Sequence, residues 1–297
     1  MGGSDSKPPT PPPTPPPSPT FRDPWRKVSW GHNEEDLKYV KDYQPEIDDV
    51  RHLRVLLYGP VGTGKSSFIN SVSSVLVGRT TQPAGVSATT SDQSHTKKYE
   101  THKIQKGSRG NFYPVVFNDI MGLEEKTGGG VRADDIKLAM KGHLKEGYKF
   151  NPASSLSSGD LGFNPSPSLD DRVHVLVCVY SANSAKINDP VLMKMKEIRE
   201  AASDLGIPQV AIVTKVDEAC GETEKDLKNV YKSKYMKKKM KDFSSSLGIP
   251  MNCIFPVKNY SEEISIDENV NTLILSVLRL IVDIGDDFIH KICDQSL

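Results

Sequence analysis

The residues with the clearest chemistry are Gly59-Pro60-Val61-Gly62-Thr63-Gly64-Lys65-Ser66, which fit the phosphate-loop pattern G-x-x-x-x-G-K-[ST]. An apolar run, Val55 to Tyr58, precedes them and reads as a buried strand; Ser67 to Val72 follow and read as the first turns of a helix. Strand, glycine-rich turn and helix is the setting the pattern requires. Gly59, Gly62 and Gly64 let backbone N–H groups curl around a phosphate with no Cβ in the way. Thr63 and Ser67 belong to the same phosphate-binding set, where the helix N-terminus adds partial positive charge. Lys65 supplies a point charge for the β and γ phosphates, and Ser66 a hydroxyl for Mg²⁺.

Two more motifs address which nucleotide would sit there. Asp119-Ile120-Met121-Gly122 fits D-x-x-G at the end of a second apolar strand, Pro114 to Phe117. Asp119 can hold Mg²⁺ through a water, and the Gly122 N–H can meet the γ-phosphate. Thr214-Lys215-Val216-Asp217 fits [NT]-K-x-D and closes the strand 209–213. The Asp217 carboxylate can accept from both N1–H and the exocyclic amine of guanine, a donor pair that adenine lacks. The Lys215 stem can pack over the base. Taken singly, D-x-x-G is a weak signal, and Lys215 with Asp217 would read as an exposed loop ion pair of little worth. Three motifs in order, each after a strand, predict guanine selectivity. Lys258 and Asn259 follow the apolar run 253–257, where a loop would lie against the base. Thr89 or Thr90, in the polar segment 80–96, could complete the Mg²⁺ shell, or be a loop threonine only.

The elements that must position these residues alternate from Arg51 onward. Strands are predicted at 53–58, 96–105, 112–118, 173–180, 209–214 and 253–257, and helices at 66–76, 133–146, 189–205, 223–243 and 265–292. Such alternation predicts a mainly parallel sheet with helices on both faces, and the pair 96–105 and 112–118 predicts one antiparallel hairpin. This is the α/β, Ras-like P-loop GTPase fold, with all three motifs at the carboxyl ends of strands. Residues 51–297 are expected to form this nucleotide domain. Residues 1–20 form a Pro-rich tail suited to polyproline II or disorder. Residues 21–50, with Trp25, Trp30 and a short helix near 34–43, are expected to pack on the domain. The stretch 147–170, rich in Asn, Pro, Ser and Gly, reads as an inserted surface loop. The lysine-rich stretch 225–241 has apolar residues at helical spacing and reads as a solvated outer helix or a membrane-surface helix. The terminal helix, with Leu273, Val277, Ile281 and Ile284, reads as the last helix on the sheet, with a dimer face as the alternative.

Composition narrows the class. The 297 residues carry 38 basic and 38 acidic side chains, so the net charge of zero gives no basic excess for general nucleic-acid binding. The four cysteines, Cys178, Cys220, Cys253 and Cys293, have no C-x-x-C spacing. No apolar leader stands at the N-terminus, and the longest apolar stretch, 273–284, carries Arg279 and Asp283 and is too short to span a bilayer. A cytoplasmic location is expected. Met1-Gly2-Gly3-Ser4-Asp5-Ser6 fits an N-myristoylation pattern at Gly2. Such a chain would give weak membrane association at most, because no dense basic patch lies nearby.

The chain resembles the interferon-induced protein 44 family. The resemblance rests on Gly62 to Val72, Asp119 to Leu123, Asp134-Asp135-Ile136, Tyr148 to Pro152, Ser166 to Arg172 and Asn259-Tyr260-Ser261. It covers residues 50 to 290, and generic GTPases lack the middle segments. The region of Pro24-Trp25-Arg26 and Trp30 resembles fish members, with a Pro-rich tail where many mammalian relatives carry a TLDc domain. The resemblance implies interferon induction, innate antiviral immunity, a cytoplasmic location and GTP binding. Some relatives have His where Lys215 stands; here the guanine motif is intact. Immunity-related GTPases share the phosphate loop and T-K-x-D but need a further helical domain after the nucleotide fold, for which the residues after Pro256 are too few.

Hydrolysis is expected to be slow. Ras-like enzymes place a water-orienting Gln directly after D-x-x-G, where this chain has Leu123. Val61 stands where such enzymes commonly have Gly. Three readings follow: a slow GTPase switch, a module that holds GTP or GDP with Mg²⁺ without useful turnover, or an adaptor whose Pro-rich tail binds SH3 or WW domains of an unidentified protein partner, with the nucleotide fold as scaffold. Dimerisation could supply a missing group.

Overall fold

The computed structural model describes residues 18–85, 97–124, 129–184 and 187–295. Gly2, almost all of the Pro-rich tail, Thr89 and Thr90 lie outside the described residues. Among the described residues six strands form one sheet: β1 (Leu53–Tyr58), β2 (Glu100–Gln105), β3 (Phe112–Asp119), β4 (Val175–Ser181), β5 (Gln209–Thr214) and β6 (Ile254–Pro256). Their order is β2-β3-β1-β4-β5-β6, and only β2 runs antiparallel to its neighbour. This is the Ras-like α/β arrangement. The strand order reverses at β1, so the crevice between its carboxyl end and that of β4 is where an open α/β sheet takes a ligand.

Among the described residues, eight α-helices pack around the sheet: α1 (Glu34–Asp42), α2 (Lys65–Val77), α3 (Ala133–Met140), α4 (Asp189–Asp204), α5 (Val216–Ala219), α6 (Gly221–Lys225), α7 (Lys234–Leu247) and α8 (Glu268–Asp294). The central strands are apolar on both sides because both faces are covered. Successive residues of β1 alternate: Leu53, Val55 and Leu57 join a core with α1, α2 and α8, while Leu56 and Tyr58 join one with α3, α4 and α7. Among the described residues no helix is long and apolar enough to cross a membrane.

Four predicted elements need correction. The helix expected at 133–146 stops at Met140, because Gly142 turns the chain at φ +82° and His143 stacks on Phe163 at 4.9 Å. The long helix expected at 223–243 is broken into α6, a 3-10 turn at Leu227–Tyr231 and α7. Asp226 is extended and caps the turn through Lys228 N, and Ser233 caps α7 through Met236 N. The apolar stripe of that region is core: Val230, Tyr231, Met236, Met240 and Phe243 are buried, while Tyr235 faces out. The stretch 147–170 is irregular but not merely superficial. Phe150 and Leu156 are buried, Tyr99 N donates to Tyr148 O, and Lys98 bridges Lys149. The second strand begins at Glu100 rather than 96, the chain ahead of it having already turned toward this stretch.

The N-terminal segment is stitched to distant chain. Thr20 bridges Ser233, and Phe21 N donates to Lys232 O. Arg26 donates to Met251 O (2.6 Å) and Ile254 O (2.9 Å) beside the edge strand β6, with the Trp25, Tyr231 and Phe255 rings within 5.5 Å of its guanidinium. Farther on, α1 lies against α8 through Asn33–Glu268, Tyr39–Asp283 and Tyr43–Asp286 contacts.

A charged cluster occupies the amino edge of the sheet. Asp170 accepts from Arg51 N (3.0 Å), His52 N (2.9 Å) and the Arg51 guanidinium (3.2 Å), and meets the His52 ring at 3.3 Å. Burial alone would raise the Asp170 carboxyl, yet the ring and N–H of His52, with the charge of Arg54, hold it well below the usual range. Buried His174 accepts from Arg54 N at its Nδ1 and meets Leu169 O at its Nε2. Burial pushes its pKa down to about 4.

Candidate functional site

The phosphate loop joins β1 to α2 across residues 59–64, and Gly62 and Gly64 both have positive φ, +74° and +86°. Gly59 is the tightest point. A Cβ there would lie 2.1 Å from Val179 O on β4, so no other residue fits this turn. Inside the loop, Thr63 Oγ1 donates to Pro60 O at 2.9 Å. Buried Lys65 begins α2 and folds back, its Nζ donating to Gly59 O (3.2 Å) and Pro60 O (3.1 Å). Burial lowers the Lys65 pKa, and the nearby Asp119 carboxylate opposes that shift. Among the described residues no carboxylate forms an ion pair with Lys65, so an arriving anion would compensate a buried cation held by carbonyl dipoles.

Asp119, buried at the end of β3, accepts from Ser66 Oγ through its Oδ2. The two proposed Mg²⁺ groups, from segments more than fifty residues apart, are thus adjacent. Both offer hard oxygen, the donor type magnesium prefers. No three His, Cys, Asp or Glu side chains converge as metal ligands among the described residues.

The chain after Asp119 runs onto the phosphate loop. Leu123 N donates to Gly59 O (3.0 Å), and Val61 N donates to Leu123 O (3.3 Å). The Leu123 side chain is buried. Gly122 is pressed against Val61: a Cβ on it would lie 2.6 Å from Val61 Cγ2 and 2.9 Å from Val61 N. Val61 and Leu123, both read from sequence as obstacles to hydrolysis, are thus parts of one small closed contact.

The other end of the crevice is built from β5 and β6. Thr214 Oγ1 donates to Thr63 O (2.7 Å) and to Tyr180 O (3.2 Å), tying the loop after β5 to the phosphate loop and β4. Lys215 is left-handed at φ 57°, the sole non-glycine residue so among those described. That kink starts α5 at once and brings Asp217 toward the loop after β6. Lys258 Nζ lies 3.5 Å from Asp217 Oδ2 and 2.8 Å from Glu263 Oε1. The ion pair of Asp217 is therefore with Lys258 rather than with Lys215. Asn259 Nδ2 reaches Gly64 O at 3.3 Å, while its buried Oδ1 has no hydrogen-bond partner among the described residues. Tyr260 N donates to Ser71 Oγ on α2, and its hydroxyl contacts Asp267 O and Asn271 on α8.

Gly59, Gly62, Thr63, Gly64, Lys65, Ser66, Ser67, Asp119, Gly122, Thr214, Lys215, Asp217, Lys258 and Asn259 all lie on the loops and adjoining chain at this carboxyl edge. Thr89 is outside the described residues. Sequence reading missed Glu263 and Ser71, which orient the loop after β6. It also missed Asn70, whose amide clamps Ala84 by exchanging two hydrogen bonds of 3.0 and 2.8 Å. A Glu five residues beyond Lys258 carries no motif, so no signal pointed to it.

A phosphate loop after the first strand of a six-stranded sheet in this order, with D-x-x-G and T-K-x-D on the neighbouring loops, defines a P-loop protein of the Ras-like GTPase fold. No protein-family model matches the chain. It is 36 % identical over 257 residues to interferon-induced protein 44 of Homo sapiens, which covers 86 % of this chain and 57 % of that protein. Identity to interferon-induced protein 44-like of Homo sapiens is 34 % over 262 residues, 88 % of this chain and 58 % of that one. Over this span the chain belongs to the interferon-induced protein 44 family, and it spans under three fifths of the length of these two relatives. Among solved structures it is similar to Toc33 from Arabidopsis thaliana in complex with GDP and Mg²⁺, at 15 % identity and TM-score 0.47, covering 84 % of this chain and 89 % of that chain.

Proposed function

We propose that this protein binds guanine nucleotides with Mg²⁺ in the cytoplasm, as part of interferon-induced innate antiviral immunity, and turns GTP over slowly. The observation that carries the nucleotide reading is the bracing of the phosphate loop by both base-side loops. Thr214 and Asn259 donate to the carbonyls of Thr63 and Gly64. A loop built only as a tight turn has no need of such contacts. The buried Asn259 Oδ1 adds an acceptor still to be satisfied beside them.

In this reading the loop N–H groups and Lys65 bind the phosphates, Asp217 accepts from the guanine edge, and Thr214 and Asn259 hold the two ends in register. Ser66 and Asp119 would hold Mg²⁺, which would neutralise phosphate charge. Slow turnover is supported by Leu123. An apolar side chain, locked by two backbone hydrogen bonds onto Gly59 and Val61, cannot orient an attacking water. The same contact favours a second reading, a module that holds nucleotide without useful turnover. Faster chemistry would need a group from a partner protein or a second copy of the chain.

The test is a titration of purified protein with GDP, GTP, ADP and ATP in Mg²⁺, followed by single-turnover hydrolysis. Guanine nucleotides are expected to bind far more tightly than adenine ones, with turnover near the unassisted Ras scale of about 10⁻⁴ s⁻¹. Equal affinity for ATP and GTP would sink the guanine reading. Turnover near 1 s⁻¹, on the scale of an assisted enzyme, would show that another residue positions the water.

A further inference from the structure

Lys258 lies between two carboxylates, and the two are not equivalent. Its ammonium is 2.8 Å from Glu263 Oε1, the distance of a charge-assisted hydrogen bond, but 3.5 Å from Asp217 Oδ2. Glu263 is itself fixed. Its second oxygen, Oε2, accepts from Ser261 N (2.9 Å) and Glu262 N (3.2 Å), so the carboxylate closes the turn on which it sits. Tyr260 ties that turn to α2 and α8 through Ser71 and Asn271. A rigid anion thus holds the lysine from one side, while Asp217 meets it only loosely. All three side chains are about one quarter exposed or less, so the groups interact at an effective dielectric well below that of water.

We propose that Glu263 is a positioning residue for guanine recognition: it draws the Lys258 ammonium toward itself and keeps the Asp217 carboxylate available to the two N–H donors of the base. This rests on Asp217 being the guanine acceptor. A cation hydrogen-bonded to Asp217 competes directly with those donors, since each occupies lone pairs of the same carboxylate. With Glu263 present, the cation has a better partner. Burial pulls the Lys258 pKa down, yet the two carboxylates, Glu263 above all, leave it raised, so the ammonium stays charged at neutral pH. Lys258 then cannot relieve the competition by losing its proton.

Glu263→Gln removes the charge but keeps an amide oxygen able to accept from Ser261 N and Glu262 N, so the turn is retained. The experiment measures affinities of GDP, inosine diphosphate (which lacks the exocyclic amine) and ADP for the parent, Glu263→Gln and Glu263→Gln/Lys258→Met proteins. In Glu263→Gln the lysine is left with Asp217 alone. GDP affinity is expected to fall about tenfold with little change for ADP, a differential loss of about 1.4 kcal/mol. Lys258→Met in the same chain keeps a straight stem, removes the competing charge, and is expected to restore GDP affinity to within about threefold of the parent, or 0.65 kcal/mol. An equal loss for GDP and ADP that Lys258→Met does not rescue would make Glu263 a structural residue and overturn the proposal. So would an unaltered GDP preference in Glu263→Gln. If the parent protein itself prefers neither GDP nor inosine diphosphate over ADP, the guanine reading falls and this inference falls with it.

Discussion

The two edges of the sheet carry similar residue types with opposite chemistry. At the amino edge, Asp170 is surrounded by the N–H groups and side chains of Arg51 and His52, and both ring nitrogens of His174 have backbone partners. At the carboxyl edge, Lys65 is buried with carbonyls as its hydrogen-bond partners, Asn259 Oδ1 lacks a partner among the described residues, and Asp217 meets Lys258 only at 3.5 Å. The first arrangement answers every charge from within the chain. The second leaves an anion-sized and a donor-sized demand for something else to meet. Charged clusters are thus told apart by satisfaction rather than by composition.

The comparison can be broken most forcefully at Lys65. Lys65→Ala should lower nucleotide affinity at least about a thousandfold, roughly 4 kcal/mol. It should leave the melting temperature unchanged or raised, because a buried charge is removed along with its desolvation cost. Titration with GDP alongside a thermal melt reads both. A variant that binds like the parent would mean that the loop is not a phosphate site. Asp170→Ala should behave in the reverse way, costing about 3 kcal/mol of stability by stranding two backbone N–H groups and the His52 ring. Urea unfolding measures that loss, and the folded fraction should keep its nucleotide affinity.

Smaller effects sharpen the contrast. Asp217→Asn presents an amide where guanine offers donors, and should reduce the preference for GDP over ADP by roughly 1.5–3 kcal/mol, the worth of a charged hydrogen bond. A competition assay decides it, and an unchanged ratio would remove Asp217 from the base site. His174 should make stability depend on pH. Its folded pKa of about 4 lies below the unfolded value of about 6.5. Between these limits the unfolded chain binds the extra proton, so this contribution is fully present above about pH 6.5 and fades as pH falls toward 4. By pH 5 the loss is about 2 kcal/mol. Urea unfolding of the parent and His174→Asn across this range should show a slope in the parent that the variant lacks.

What the sequence made legible follows from range. The phosphate loop, the strands of the parallel core and the caps at Asp226 and Ser233 are local signals, carried by glycine spacing, apolar runs and residue type. The break near 226 and 233 was in fact written there, but periodicity across the lysine-rich stretch masked it. Gly142 likewise marked the end of α3 within a pattern that looked continuous. Other features were not legible, because they join residues with no shared local pattern. Arg26 meets Ile254, Glu263 holds Lys258 away from Asp217, and Leu123 adds a bridge to Pro60. The packing of 147–170 was hidden by its polar composition, since a few apolar side chains, Tyr148, Phe150, Leu156 and Phe163 among them, suffice to anchor it. In the candidate site the chemistry-bearing residues were readable, and their mutual bracing was not.

The long last helix has a consequence for the order in which the chain can be completed during synthesis. Its residues Val270, Ile274, Val277, Leu278 and Ile281 cover the side of the sheet formed by Leu53, Val55, Leu57, Val175 and Val177. The N-terminal segment finds its own partners there as well: Asn33 reaches Glu268 across 235 residues, and Tyr43 reaches Asp286 across 243. At about 5–20 residues per second, ribosomal elongation leaves the β1 residues of that side, and the segment carrying Asn33 and Tyr43, without this helix for more than about ten seconds. Closing a loop of that length carries an entropic cost that grows only slowly with size, so the final step is late without being prohibitive. In the interval the exposed valines and leucines are the surface a chaperone would meet, and loss of the last helix would strand the chain in that incomplete form.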